Sequence, residues 1–169
     1  GAGVDRIVHV ETQSGLRVDQ HILTLKNRFR YSVKQGAVEE LLFQLPAGWS
    51  LQELTGPDVG GWQPEENDNQ RLIRVFLRRA IEDATALDFT LFNATAQLDD
   101  ALEATYPRLT PLEITRETGH LGLFSENHYL IRAGAYDHLT RVQNNAFPDL
   151  KNWTNAFGPL QLAFRFSRN

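Results

Sequence analysis

The sequence contains no cysteine. Disulfides, thiolate catalysis and cysteine-ligated zinc are thereby excluded. The compartment stays open, because large secreted β modules often do without disulfides. Methionine is absent too, the initiator included, and the chain opens Gly1-Ala2-Gly3. That opening resembles a cleavage scar, so we expect a piece of a longer parent protein. No apolar run nears the ~20 residues that a membrane-spanning helix needs, and no direct membrane insertion of this piece is expected. Neither sign of charge dominates: 17 Lys and Arg stand against 21 Asp and Glu, for a net charge of −4. This leaves no electrostatic footprint for nucleic acid or anionic membrane. Lys26, Arg28 and Arg30 form one local basic set, and Arg71, Arg74, Arg78 and Arg79 another. Acids interleave or flank both sets, which read as solvated strand faces rather than a pooled patch.

Chemical motifs are also missing. There is no Gly-x-Ser-x-Gly and no glycine-rich phosphate loop, and Gly119-His120-Leu121-Gly122 reads as a turn. The five histidines lack metal-ligand spacing. His120 and His128 can meet across a turn at 125–127, near Glu126, but have no third ligand. Asp99, Asp100 and Glu103 fall on a short candidate helix, where Asp99 and Glu103 share a solvated face. Glu65, Glu66 and Asp68 lack the alternation and glycine of a calcium loop. No catalytic, metal or cofactor-binding residue is assigned, and no cofactor is expected.

What is present is antiparallel β grammar. The most legible stretch is 28–62, RFRYSVKQGAVEELLFQLPAGWSLQELTGPDVGGW. Phe29, Tyr31 and Val33 alternate with Arg28, Arg30 and Ser32, so the first set points inward. Gly36 turns the chain. Leu41, Phe43 and Leu45 return, and Pro46, which has no N–H to give a ladder, ends the strand. Upstream, 4–13 and 16–25 flank Ser14-Gly15 and read as a hairpin. Val8 and Val10 share parity with Leu16 and Val18, whereas the apolar positions from Leu23 to Val33 are odd. This flip predicts a bulge or a change of sheet near Lys26-Asn27. Gly56-Pro57 and Gly60-Gly61 read as turns, 64–70 as an exposed hairpin loop, and 78–86 as a loop or one helical turn. The best helix pattern, at 97–105, is short and bounded by Pro107 and Pro111. Further strand signals follow from Leu112. Leu160, Leu162, Phe164 and Phe166 then alternate with polar or small residues in the clearest amphipathic strand. The sum predicts an all-β, antiparallel two-layer β-sandwich with at most one or two short helices. It spans 1–169 as a single unit, with an internal crossover at 97–108.

Trp49, Trp62 and Trp153 all lie beside turns. Exposed, they would be candidates for stacking on sugar rings; buried, they would plug the ends of the sandwich. Asn93-Ala94-Thr95 and Asn152-Trp153-Thr154 match the glycosylation acceptor pattern.

The stretch VEELLFQLPAGWSLQELTGPDVGGW (38–62) resembles modules of large bacterial cell-envelope proteins of unassigned function. There, a strand ends in Leu-Pro-x-Gly, and a second leads to Gly-x-x-Val and a Trp. RETGHLGLFSENHYLIRAG and NAFGPLQLAFRF are similar to the later strands of those modules. The resemblance implies an extracytoplasmic setting in a multi-domain, membrane-tethered parent, and carries no functional residues. Three functions are therefore expected to compete. The first is a non-enzymatic structural or protein-interaction module, partnered by other domains of its parent or by envelope proteins. The second is a carbohydrate-binding module using Trp49, Trp62 or Trp153. The third is an accessory β domain of an envelope enzyme.

Overall fold

A computed structural model of the chain describes residues 5–19, 22–93, 105–126 and 138–169. The strands are β1 (Ile7–Val18), β2 (Leu23–Gln35), β3 (Val38–Gln44), β4 (Ser50–Thr55), β5 (Val59–Asn67), β6 (Gln70–Ile81), β7 (Ala84–Asn93), β8 (Thr110–Leu112), β9 (Arg116–Ser125), β10 (Leu139–Val142) and β11 (Leu160–Arg168). A 3-10 turn over Asn144–Ala146 and one α-helix, α1 (Leu150–Phe157), precede β11. The strands build a seven-stranded sheet, ordered β10-β11-β9-β1-β2-β7-β4, and a four-stranded sheet, ordered β5-β6-β3-β8. The all-β sandwich expectation holds. The ladders are antiparallel with one exception, the parallel pairing of β1 with β9 in the middle of the large sheet.

The main core lies between the sheets. Phe29 of β2 and Phe89 of β7 point inward from the large sheet, and Phe43 of β3 enters between them. Ring centroids are 5.0 Å apart for Phe29–Phe43 and 4.6 Å for Phe43–Phe89. All three rings are wholly buried. The inward sets read from 28–62 are therefore correct, with Tyr31, Val33, Leu41 and Leu45 also buried. Gly36 makes its turn with φ +81.

The N-terminal reading needs revision. β1 runs straight through Ser14-Gly15, and its hairpin partner is the whole of β2, from Val18↔Leu23 to Ile7↔Gln35. Ser14 faces inward, where its Oγ lies 2.9 Å from the Tyr106 hydroxyl. Gly15 faces outward beneath the indole of Trp153: a Cβ there would overlap Cζ3 and lie 2.8 Å from Cε3. Glycine serves close approach here and not a turn. No bulge or sheet change occurs at Lys26-Asn27, because β2 stays in one sheet and one phase. The apparent parity flip arises simply because the hairpin reverses between Val18 and Leu23.

The same confusion recurs at other glycines and in polar stretches. Gly119 and Gly122 lie within β9, not in a turn. A Cβ on Gly119 would overlap the Thr12 carbonyl and press on the Phe166 ring at 2.8 Å. Gly60-Gly61 lies in β5, where the register with β6 shifts. β5 and β6 extend through most of 64–70, and the turn narrows to Asp68 and Asn69, both with positive φ. β6 and β7 likewise occupy 78–86 except for the turn at Glu82-Asp83. Most of the candidate helix at 97–105 and of the crossover at 97–108 lies outside the described residues.

Candidate interaction face

The large sheet has a second buried layer on its outer side. α1 places Trp153 and Phe157, four residues apart, on one helical face. They pack on Phe124 of β9, with the Trp153 and Phe124 rings stacked at 5.8 Å and 17°. Phe147 closes the cluster edge-on at 5.6 Å from Trp153. The indole N–H donates to Gln13 Oε1 at 3.3 Å. Gly158, at φ +80, ends the helix, and its N–H donates to the Thr154 carbonyl at 2.8 Å. Among the described residues, the helix thus covers one part of the outer face and leaves the rest open beside it.

Cross-strand register determines what the open part displays. One row runs Arg165, His120, Gln13, Arg28, Asp88 across β11, β9, β1, β2 and β7. The next runs Ser167, Thr118, Glu11, Arg30, Ala86, and the third runs Arg116, His9, Ser32, Ala84. Short side chains at Ser32, Ala84, Ala86 and Thr118 sit among longer ones at His9, Glu11, Arg30 and Lys34. Their difference in length hollows a shallow depression of ≈ 530 Å³ lined by all eight residues.

The face is basic although the chain is acidic. Lys26, Arg28, Arg30 and Lys34 alternate along β2 and so share a side. Arg17, Arg116 and Arg165 join them from β1, β9 and β11, against Glu11, Asp88 and Glu53 from β1, β7 and β4. Asp88 accepts from Arg28 Nε at 2.9 Å, Glu11 lies 3.6 Å from Arg30, and Arg17 is 3.8 Å from Asp19. Among the described residues, Lys26, Lys34, Arg116 and Arg165 have no carboxylate within 4.0 Å. His9 lies on this outward side, as its parity predicts. Partial burial, reinforced by Arg165 and opposed by Glu11, holds His120 below the usual imidazole range. The sequence reading treated the basic residues as unpooled. It missed the patch because β9 and β11 contribute their cations from more than eighty residues away; the alternation along β2 was the one local signal.

Beneath this face lies a buried ionic cluster. Glu117 of β9 has no exposed surface. Its carboxylate accepts from Thr12 Oγ1 and from Arg168 Nε, each at 2.6 Å, and lies 3.5 Å from Arg108 Nη2. The Arg108 guanidinium rests over the Phe166 ring, 4.2 Å from its centroid. Burial pushes the Tyr106 and Tyr31 hydroxyls up, so both stay protonated. These groups tie β1, β9, β11 and the 105–109 segment together. With its carboxylate shielded from solvent, the cluster acts as a structural joint.

The three tryptophans separate clearly. Trp49 and Trp153 are buried, so neither offers a ring face to a ligand. Trp62 is 45% exposed and is the one exposed large hydrophobic among the described residues. It stands in register with core residue Val75, on the edge strand β5. His128, the other half of the His120–His128 pairing, and the 99–103 carboxylates lie outside the described residues. Glu65 is committed to Arg74, which donates from Nε at 2.6 Å, so it is not a free calcium ligand.

Fold and face together define an all-β sandwich domain with a helix on one sheet and an open basic face beside it. No family model matches the sequence, and no curated protein matches it. Among solved structures, an M1 zinc metallopeptidase from Deinococcus radiodurans superposes with a TM-score of 0.46 and 10% identity, over 97% of this chain and 39% of that one. Yeast LTA4 hydrolase in complex with bestatin superposes with a TM-score of 0.48 and 13% identity, over 98% of this chain and 27% of that one. The chain spans well under half the length of either protein.

Proposed function

We propose that this chain is a non-enzymatic interaction module that sets the open outer face of its seven-stranded sheet against a neighbouring domain or protein. The observation that supports this reading is a set of cations on β2, β9 and β11 that have no paired carboxylate among the described residues, on the same face as a shallow, partly apolar depression lined by Lys34. Such a surface suits docking, whereas bond-breaking chemistry needs convergent acid, base or nucleophile in an enclosed site. An extracytoplasmic setting, implied by the resemblance to envelope modules, belongs to the same proposal.

Site-specific photo-crosslinking tests it in cells carrying the chain in its native context. Probes at Ser32 and Ala86 are expected to capture one discrete species that a probe at Gln63, on the other sheet, does not. Equal capture from all three positions, or none from the first two, rejects the reading.

The exposure of Trp62 favours a second reading, glycan stacking at the β5 edge. Quenching or a blue shift of Trp62 emission on titration with soluble polysaccharides, lost in Trp62→Phe, is its signature.

A further inference from the structure

We infer that the surface docked on this face is an acidic protein surface, held by Lys26, Lys34, Arg116 and Arg165. The inference rests on the interaction-module reading and adds the partner's chemistry. These four cations have no carboxylate within 4.0 Å among the described residues, whereas Arg28 and Arg30 are already paired with Asp88 and Glu11. Among the described residues, positive charge without a paired carboxylate thus stands on one face of a chain whose net charge is −4. Like charges held on one face repel, and an anionic partner relieves that repulsion.

The spacing of the cations sets the kind of partner. Lys26 and Lys34 lie on the same strand, β2, eight positions apart. At ~3.3 Å per residue they stand about 26 Å apart along the strand. No single small anion spans that distance, but several carboxylates on one surface do. Glu11 and Asp88 also interrupt the cationic field. A nucleic-acid strand, with one phosphate every ~3.4 Å, is best served by an unbroken basic track. A protein surface offers carboxylates mixed with donors, and these can meet Glu11 as well as the free cations. The short side chains at Ala84, Ala86 and Ser32 leave room between the cations for small apolar contacts.

The test uses a fluorescein-labelled peptide alternating glutamate with small residues, followed by anisotropy at low and at physiological salt. Single-stranded DNA and phosphatidylserine vesicles serve as competing probes. The peptide is expected to bind and to weaken with salt. Lys34→Glu/Arg116→Glu should weaken it by about 10-fold or more, because rim and patch charges act mainly through long-range attraction. Arg116→Glu alone should have a smaller effect in the same direction. Arg78→Glu, on the other sheet, carries the same charge change as Arg116→Glu and should leave binding unchanged. Both altered positions are exposed, and unchanged far-UV circular dichroism verifies the fold.

No binding at low salt, or equal weakening by Arg78→Glu, overturns the inference. So does tighter binding of DNA or vesicles that the same double substitution abolishes, since the face would then serve a polyanion or a membrane. Self-association abolished by the same substitution would make the occupant a second copy and also overturn it. If Ser32 and Ala86 still crosslink to a discrete species while the acidic peptide fails, the interaction module stands and only its acidic chemistry falls.

Discussion

Arg168, near the end of the last strand, donates its Nε–H to Glu117 at 2.6 Å, and the receiving carboxylate is wholly shielded from water. A buried charge stripped of its partner is costly, whereas a well-shaped neutral replacement of both partners is tolerated. Glu117→Gln should therefore destabilise the protein by about 3 kcal/mol. Glu117→Leu combined with Arg168→Leu should cost less than the sum of the two single substitutions. Urea denaturation of the wild type, the three single variants and the double variant measures both quantities. Additive losses would show that the pair does not act as a unit.

Phe43 links the two sheets through its contacts with Phe29 and Phe89. Truncation to alanine leaves a cavity that neither sheet can close independently. The expected loss is about 4 kcal/mol, read from the shift of the urea midpoint at constant slope.

Gly15 tests the second layer. A methyl group there collides with Trp153. Gly15→Ala should cost about 2 kcal/mol through overpacking and should alter the near-ultraviolet dichroism of the indole. An unchanged aromatic spectrum would mean that α1 does not sit on β1 in solution.

Asp58 accepts from Thr85 Oγ1 at 2.6 Å and from Arg79 Nε at 3.0 Å, which holds its carboxyl below the usual range. A depressed carboxyl stabilises the fold above its unfolded pKa, and that contribution is lost as pH falls through the folded value. Arg79 likewise lowers Asp83 after the backbone of Ala84, and Arg74 lowers Glu65. The melting temperature should thus fall from about pH 4 downward, and Asp58→Asn should flatten that fall. Thermal melts at steps of pH check it. An identical acid profile in the variant would remove Asp58 from the account.

Trp62 should be the quenchable indole. Iodide is expected to quench a component that disappears in Trp62→Phe, while Trp49 and Trp153 stay protected. The same substitution should alter stability by no more than about 0.5 kcal/mol.

Local alternation made much of this fold legible. Phe29, Tyr31 and Val33 with Leu41, Phe43 and Leu45 showed the centre of the core, since a period of two has few other readings. Glycine misled. Gly15, Gly119 and Gly122 look like punctuation, but each makes room for an aromatic ring brought in from a distant segment. The indole of Trp153 over Gly15 comes from 138 residues downstream, and no local window contains it. The candidate face escaped for the same reason. Four of its seven cations lie on β2, but Arg116 and Arg165 reach it only through the β1–β9 and β9–β11 ladders.

The parallel pairing of β1 with β9 has a consequence for synthesis. Thr12 meets Gly119 in that ladder, 107 positions later. At ~5–20 residues per second, a ribosome needs roughly 5–20 s to deliver the second strand after the first. Throughout that interval, β1 can pair with β2, but its other side has no β9 to meet. An open strand edge is a template for other nascent chains. We expect the hazardous species to be this half-built sheet, and a chaperone that binds during elongation to raise yield more than one added after release.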